Sequence, residues 1–380
     1  MLGLRRAALA CCGLLLLAAC SGAQSSGGSP SPRRPPTATP LPTPTPVPQL
    51  TLQGLFHPTA PPPNDPAHIR TLNATGDVIP ARLVDIAATQ RNDFAWPFEP
   101  TAAYVKNADL TYIDLESPLL QGCPERPLGL DFCGDPRFIT GLQSIGTKVA
   151  NIANNHVYPG PDADNTQALL QQNGIQVTTN IGPPVVMDVR GMKFAFVGCN
   201  AVTEGAPVDR VALQKDIQAA RAAVGTDGVV VMQFHWGKEY ERLPMMAAGL
   251  APDNPVELGH LAIDSGADLV IGNHPHWVQA VEIYKNHLIT YAHGNYVFDQ
   301  VNCYPPIGSD YLTYCSDDTR TSVVGTYTFQ DNHLVGVTWK PTFTDPQLQT
   351  QWADPARSAN VLQTMETASQ QLAQQLGEPG

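Results

Sequence analysis

The sequence predicts an α/β fold in which a layered β-sheet sandwich is flanked by helices. Two observations lead to this fold class. Apolar runs of buried-strand length recur along the 380 residues and alternate with amphipathic helical segments. Several of these runs also end in a polar residue suited to metal or acid–base chemistry, and open α/β sheets bind ligands at the carboxyl ends of their strands.

The predicted elements follow one another in a regular order. Strands that lead to such polar residues are predicted over 69–74, 110–115, 149–153, 194–198, 229–234 and 269–271. Helices are predicted over 165–172, 211–224 and 256–265. Later runs over 288–293, 322–329 and 334–343 are typical of antiparallel strands, and a Gln-rich helix is predicted over 358–376.

The N-terminal residues resemble a bacterial lipoprotein signal. Arg5 and Arg6 precede an apolar run over 7–19, which is shorter than a membrane-spanning helix. The run ends in Leu17-Ala18-Ala19-Cys20, which is similar to a lipobox. This resemblance implies cleavage before Cys20, lipidation of its thiol, and an extracytoplasmic protein anchored to the membrane. An ordinary signal peptide with an incidental cysteine, or an uncleaved anchor, is the alternative.

Composition divides the chain into four segments. Residues 1–20 are the predicted signal peptide, and 21–66 are a Pro/Ser/Thr-rich stretch predicted to be a disordered spacer. The main domain is predicted over 67–346, followed by a C-terminal helical extension over 347–380. The formal net charge of −12 at pH 7 argues against a nucleic-acid partner, because nucleic acids are held through contacts between phosphates and basic residues.

The cysteines indicate the same compartment. Cys123 and Cys133 bracket a short loop rich in Pro and Gly, and Cys303 and Cys315 bracket another. Such pairs are typical of disulfides that staple loops outside the cytoplasm. We therefore predict the disulfides Cys123–Cys133 and Cys303–Cys315. Cys199 ends an apolar strand and is predicted to be a buried free thiol.

Acidic and amide side chains follow the first three predicted strands. Asp77 and Glu116 are carboxylates that could hold cations, although Gly-Asp alone is a turn signal and Glu116 could instead cap the next helix. Asn155 offers a neutral oxygen ligand, and His156 beside it is placed to donate a proton. The alternative for this pair is a turn with an Asx hydrogen bond.

Histidines follow two later strands. His235 alone is typical of a core histidine with its hydrogen bonds satisfied. His274 and His276 lie two residues apart in an extended segment, so both side chains face the same side and can reach one cluster. Imidazole is a frequent ligand of zinc, iron and manganese. The pair therefore indicates a metal site, whereas the alternative treats every one of these histidines as structural.

The order of these residues resembles that of calcineurin-like metallophosphatases, in which two metals activate a bridging water and clamp a phosphoryl oxygen. Six segments carry a closer resemblance: Thr75-Gly76-Asp77 with Arg82, Asp114-Leu115-Glu116-Ser117-Pro118, Ala153-Asn154-Asn155-His156, His235-Trp236-Gly237 with Glu239-Tyr240, Gly266-Ala267-Asp268 with His274-Pro275-His276, and His293-Gly294-Asn295-Tyr296. Together they are similar to the motifs of the CapA family of capsule and poly-γ-glutamate synthesis proteins.

The resemblance implies a metallophosphatase-like fold and a site with one or two divalent transition-metal ions (manganese, iron or zinc). One metal would be faced by Asp77, Glu116 and His276. The other would be faced by Glu116, Asn155, His235 and His274. By the same resemblance Glu116 is the bridging ligand, His156 the candidate general acid, Arg82 an anion-binding contact and Asn295 a residue that lines the substrate cleft.

Two departures from the metallophosphatase pattern bear on activity. Ile79 lies where active metallophosphatases have the histidine of an Asp-x-His motif, so the first site lacks a ligand. The bridging aspartate is replaced by Glu116, whose longer side chain changes the metal spacing.

The resemblance implies a lipoprotein that takes part in making or exporting a capsular polymer, with a metal-dependent, hydrolase-like cleft. The expected partners are that polymer, membrane proteins that synthesise it, and the membrane itself through the lipid anchor. Two alternatives stay open: an extracellular metallophosphoesterase, and a non-catalytic subunit that binds the polymer.

Overall fold

Two β-sheets pack face to face, and helices cover their outer faces. The computed structural model describes residues 49–61, 63–300 and 316–377. These residues fall within one compact unit, Val47–Gly380. The layered α/β architecture predicted from the sequence is confirmed.

The first sheet combines parallel and antiparallel strands. Its described strands run in the order β14-β13-β12-β1-β2-β3-β4, and β11 also pairs with β1. Their bounds are β1 (Ile69–Val78), β2 (Leu110–Leu115), β3 (Val149–Asn151), β4 (Gln176–Thr178), β11 (Asn295–Val297), β12 (Thr321–Gln330), β13 (His333–Thr344) and β14 (Thr350–Trp352). The strands β1 to β4 are parallel, so their carboxyl ends lie at the same edge.

The second sheet is parallel at its centre. Its order is β5-β6-β7-β8-β10-β9. The bounds are β5 (Val185–Val189), β6 (Met192–Asn200), β7 (Val229–His235), β8 (Leu269–Asn273), β9 (Val281–Tyr284) and β10 (His287–Thr290). The strands β6, β7, β8 and β10 are parallel neighbours, whereas β5 and β9 pair antiparallel at the two edges.

The described helices connect and cover the strands. They are α1 (Leu52–Phe56), α2 (Leu83–Arg91), α3 (Glu99–Val105), α4 (Ile139–Ser144), α5 (Pro161–Gln172), α6 (Arg210–Val224), α7 (Pro255–Asp264) and α8 (Pro355–Leu376), with short 3₁₀ turns at Pro136–Phe138 and Asp318–Arg320. None of the described helices is long and apolar enough to cross a membrane.

The two faces of each central strand belong to different apolar layers, as the two-residue period of a strand requires. On β7, Val229 and Val231 face the other sheet, whereas Val230 and Met232 pack under helices α6 and α7. The first sheet packs its outer face against α2 to α5 in a third layer. Cys199 faces the helix-covered side of the second sheet and is a buried free thiol.

A β-bulge decides which way Asp77 points. Leu72 and Ala74 face the second sheet, so plain alternation would turn Asp77 away from it. The register of β1 against β2 shifts between Ala74 and Asp77, where β1 contains one residue more than its partner. The extra residue restores Asp77 to the inward face, opposite Asp114.

Two of the predicted segments contain elements that pack with the main domain. The predicted spacer over 21–66 includes α1, whose Leu52 and Leu55 are buried in the layer between the sheets, and the stretch around α1 is therefore folded. The predicted extension over 347–380 includes β14, which pairs with β13. The apolar residues of α1 and the register of β14 tie both segments to the main domain.

The two predicted disulfides have different outcomes. Cys123 and Cys133 form a disulfide with a Cα–Cα distance of 5.6 Å. Cys303 and Cys315 lie outside the described residues, as does the predicted lipidation site at Cys20.

We predict that Gly76→Ala destabilises the protein by about 1–3 kcal/mol. A Cβ atom at position 76 would lie 1.9 Å from the carbonyl oxygen of Gly294, so the bulge must move. Urea unfolding checks this. Gly336→Ala is the matched control, because its Cβ meets nothing within 4 Å, and its effect is expected to stay within about 0.5 kcal/mol. Equal unfolding midpoints for the two variants would contradict the role of the bulge.

Candidate metal centre

Polar residues form an aligned row across each sheet, where the strands end. In the first sheet the aligned residues are Asn295, Asp77, Asp114, Asn151 and Thr178. In the second sheet they are Asn200, His235 and Asn273. Hydrogen bonds join the two rows, for example from Asn273 Nδ2 to Asp77 Oδ1 at 2.8 Å. The apolar layer between the sheets therefore ends in a polar layer at this edge.

Two groups of possible metal ligands meet in this polar layer. Glu116, His235 and His274 form one, and Asp77, Glu116 and His276 form the other. Within each group the ligand atoms lie within 4.8 Å of one another, and all these side chains are buried. Glu116 belongs to both groups. The structure thus brings together the carboxylates and imidazoles of the two sets expected from the sequence, and their role as ligands stays a prediction.

Several atoms of these groups have no hydrogen-bond partner among the described residues. Both carboxylate oxygens of Glu116 and both ring nitrogens of His274 are buried and unsatisfied. Leaving a buried polar atom unpaired costs about 1–3 kcal/mol. A divalent cation accepts such oxygen and nitrogen donors as ligands. The residues present therefore fit one or two metal ions.

The electrostatics of the cluster favour a cation. Burial, and then the neighbouring charge of Asp77, raises the pKa of Asp114 and of Glu116 well above the usual range. Burial and the neighbouring carboxylates both disfavour the charged forms of Asp114 and Glu116. A bound divalent cation would favour the charged forms instead.

The histidines are in the form that binds metal. Burial lowers the pKa of His235 to about 3 and lowers the pKa of His274 well below its ordinary value. Both imidazoles are therefore neutral at pH 7, and a neutral imidazole is the form that ligates a metal.

Asp114 orients His235. Its Oδ2 lies 2.9 Å from Nδ1 of His235, and its Oδ1 accepts a hydrogen bond of 2.7 Å from Asn151. Nε2 of His235 lies 2.7 Å from Oδ1 of Asn155 and 3.6 Å from Oε1 of Glu116. Such carboxylate–histidine pairs fix the tautomer of metal-bound histidines.

Sequence reasoning did not single out Asp114 as a site residue. The signal that reveals it is its position two residues before Glu116, which puts it on the inward face of β2 together with Tyr112.

Asn295 orients the ring of His276 in the same way. Its Oδ1 lies 2.8 Å from Nδ1 of His276, and its amide nitrogen donates to Thr319 and Gln300. Nδ1 of His276 also lies 3.3 Å from Oδ2 of Asp77. Asn295 is only 1% exposed and hydrogen-bonded at both amide atoms, so it positions His276, and its predicted contact with a substrate stays a prediction.

His156 lies beside the cluster under an aromatic ring. Its Nε2 is 3.5 Å from Oε1 of Glu116, and its ring stacks on Phe132 with centroids 4.1 Å apart. Burial, with smaller effects of His235 and His276, lowers the pKa of His156 to about 3. The imidazole is neutral at pH 7. A general-acid role for His156 stays a prediction.

Arg82 is engaged by an internal carboxylate. Its guanidinium pairs with the buried Asp299, with Nε 3.0 Å from Oδ2, and donates to the carbonyl of Gly129 at 2.9 Å. It also lies over the rings of Phe132 and Phe298. The predicted anion contact of Arg82 therefore competes with an ion pair that already neutralises its charge.

Ile79 occupies an apolar pocket. It is fully buried and clusters with Ala81, Phe132 and Phe298. Among the described residues no metal ligand replaces the absent histidine at this position, so the group of Asp77, Glu116 and His276 keeps three donors.

The bacterial capsule synthesis protein family PGA_cap matches residues 71–300, which include every residue of the two ligand groups. The chain belongs to this family. The family resemblance inferred from the sequence motifs is thereby confirmed.

Curated relatives carry names from capsule synthesis. The chain is 26% identical over 255 residues to the capsule biosynthesis protein CapA of Bacillus anthracis, covering 60% of either chain. It is 40% identical over 72 residues to the PGA biosynthesis protein CapA of Bacillus subtilis (strain 168), covering 19% of this chain and 17% of that one. The chain thus spans three fifths or less of the length of these relatives.

A solved structure also resembles this PGA_cap member. It is the crystal structure of a hypothetical protein from Thermus thermophilus, with 15% sequence identity and a TM-score of 0.43. The match covers 71% of this chain and 98% of that chain.

We predict that Asp114→Asn weakens metal binding about 10- to 100-fold, because the amide cannot serve both His235 and Asn151 as the carboxylate does. Isothermal titration with Mn²⁺ measures the dissociation constant. Asp227→Asn, at an exposed position, is the control with the same chemical change. Identical dissociation constants in both variants would show that Asp114 does not orient the ligand.

Proposed function

We propose that the chain acts at the cell surface in making or exporting a capsular polymer such as poly-γ-glutamate, with a metal-dependent, hydrolase-like cleft. Membership of the bacterial capsule synthesis family supports the first part. The relatives named for capsule and PGA biosynthesis support the polymer class.

The position of Glu116 is the main support for a metal-dependent cleft. It belongs to both ligand groups, and neither of its carboxylate oxygens has a hydrogen-bond partner among the described residues. A fully buried glutamate without a partner is costly in a structural role. The same carboxylate between two cations has each oxygen satisfied, so the site is better explained as a metal centre than as a polar core.

The chain's own residues prepare the site for chemistry on an electrophilic group. Divalent cations bound there would supply Lewis acidity toward a carbonyl or phosphoryl oxygen of the polymer or its precursor. Asp114 and Asn295 hold the rings of His235 and His276 in fixed orientations. Phe132 covers one face of His156 and limits access of water to that side.

Two observations favour this proposal over a phosphoesterase, the first alternative. Phosphoryl transfer relies on cationic groups that stabilise the charge on phosphoryl oxygens. Arg82, the predicted anion contact, is paired with Asp299, and Ile79 offers no ligand to the first metal. The other alternative, a subunit that only binds polymer, does not require two groups of unsatisfied buried ligands.

We further propose that the protein is a lipoprotein held at the membrane through Cys20. Support comes from Arg5 and Arg6, the apolar run after them, and the lipobox-like residues before Cys20. Two acyl chains on one residue suffice for stable anchoring. The proposed partners are the capsular polymer and the membrane proteins that synthesise it, which a membrane anchor would keep close by.

We predict that the purified protein holds about one or two transition-metal ions per chain, and that His235→Ala and His274→Ala each lose them. Elemental analysis after incubation with manganese, zinc and iron measures the content. His287→Ala is the control, because this histidine contacts the backbone of Asp268 and belongs to neither ligand group.

Metal bound by the wild type and the control, and lost in both variants, supports the proposed centre. Cleavage of poly-γ-glutamate, followed as polymer length, would then separate the proposed cleft from a phosphoesterase, which would instead hydrolyse phosphate esters. A wild-type protein that binds none of the three metals would leave the polymer-binding subunit as the better account.

We predict that Cys20→Ser moves the protein from the membrane fraction to the soluble fraction, since the serine cannot carry the thioether-linked lipid. Fractionation with immunoblotting measures the shift. Cys12→Ser, inside the apolar run, is the matched control and is expected to stay with the membrane. If both variants fractionate like the wild type, Cys20 is not the anchor.

A further inference from the structure

We propose that Glu239 is an additional ligand of the metal centre and its solvent-facing carboxylate. This inference rests on the metal centre proposed above and adds a residue outside both buried ligand groups.

Glu239 lies beside the ligand that most lacks partners. Its Oε1 is 3.8 Å from Nε2 of His274, a separation that one ion with metal–ligand distances of about 2.0–2.2 Å can bridge. Neither ring nitrogen of His274 has a hydrogen-bond partner among the described residues. A cation between them would satisfy both groups.

Exposure separates Glu239 from the other carboxylates. Its side chain is 30% exposed, whereas those of Asp77 and Glu116 are at most 1% exposed. The buried ligands can be replaced only by unpacking the layer between the sheets. Glu239 can be reached from solvent, so it lies on the side from which a substrate approaches.

The backbone on either side of Glu239 contains left-handed residues. Gly237 has φ +80° and Tyr240 has φ +55°, so left-handed residues stand on both sides of Glu239. A non-glycine residue in this conformation costs free energy that surrounding contacts must offset. The hydroxyl of Tyr240 accepts a hydrogen bond of 2.9 Å from Gln300, and its ring lies 5.6 Å from that of His276.

Glu239 also supplies a donor that the centre lacks. The group to which its neighbour His274 belongs, with Glu116 and His235, offers three ligands of these types. Transition-metal sites in proteins commonly use four or more ligands. The Glu239 carboxylate beside His274 would bring this group to four.

The test compares Glu239→Gln with Glu241→Gln in the full-length protein in mild detergent. Both changes remove one negative charge two residues apart, and the two side chains have similar exposure, 30% and 35%. Glu241 pairs with Lys238 and is therefore a charge-matched control outside the centre. Titration with Mn²⁺ gives the dissociation constant, and Co²⁺ absorption reports the ligand set.

We expect Glu239→Gln to weaken Mn²⁺ binding at least about tenfold and to change the Co²⁺ spectrum. Glu241→Gln should match the wild type in both, and Glu239→Asp, which keeps the carboxylate on a shorter side chain, should fall between. Wild-type affinity and an unchanged spectrum in Glu239→Gln would overturn the inference while leaving the metal centre intact. A wild-type protein that binds neither ion would overturn both proposals together.

Discussion

Burial of like charges is the constraint on which the centre of this molecule depends. Asp77, Asp114 and Glu116 lie at the ends of two adjacent strands with essentially no exposure to solvent. Burial of an ionised carboxylate costs several kcal/mol unless a partner compensates it. Asn151, Asn273 and His235 compensate Asp77 and Asp114 in part, whereas the carboxylate of Glu116 accepts no hydrogen bond among the described residues. The fold thus keeps an electrostatic cost that a divalent cation would offset.

The fold places these buried carboxylates at a single edge of the two sheets. Two mostly parallel sheets face each other, and their apolar layer ends in a polar row at the carboxyl edge of each. Because both rows lie at this edge, polar side chains that are far apart in the sequence come within hydrogen-bonding distance. For example, Oδ2 of Asp114 contacts Nδ1 of His235, although the two residues are 121 positions apart. Asp114 orients His235, and Asn295 orients His276. Glu239 is partly exposed, so the cluster can be reached from its side.

Much of this arrangement follows from the sequence, and the exceptions have physical causes. Apolar runs and the polar residues after them predict the central strands and the clustered ligands, since parallel strands end at one edge. Alternation alone does not predict that Asp77 faces inward, because that depends on a one-residue bulge. The pairing of Arg82 with Asp299 spans 217 positions, and nothing local signals it. The folded α1 was missed because Leu52 and Leu55 lie near a proline-rich stretch.

The central claim is that Glu116 lies between two metal positions. Anomalous diffraction from crystals of the protein grown with Mn²⁺ tests it most directly. The account predicts anomalous peaks next to Glu116, one toward His235 and His274 and the other toward Asp77 and His276. Crystals that show no peak inside this cluster, with Mn²⁺ in excess, would contradict it and would make the buried carboxylates a structural feature of a binding protein.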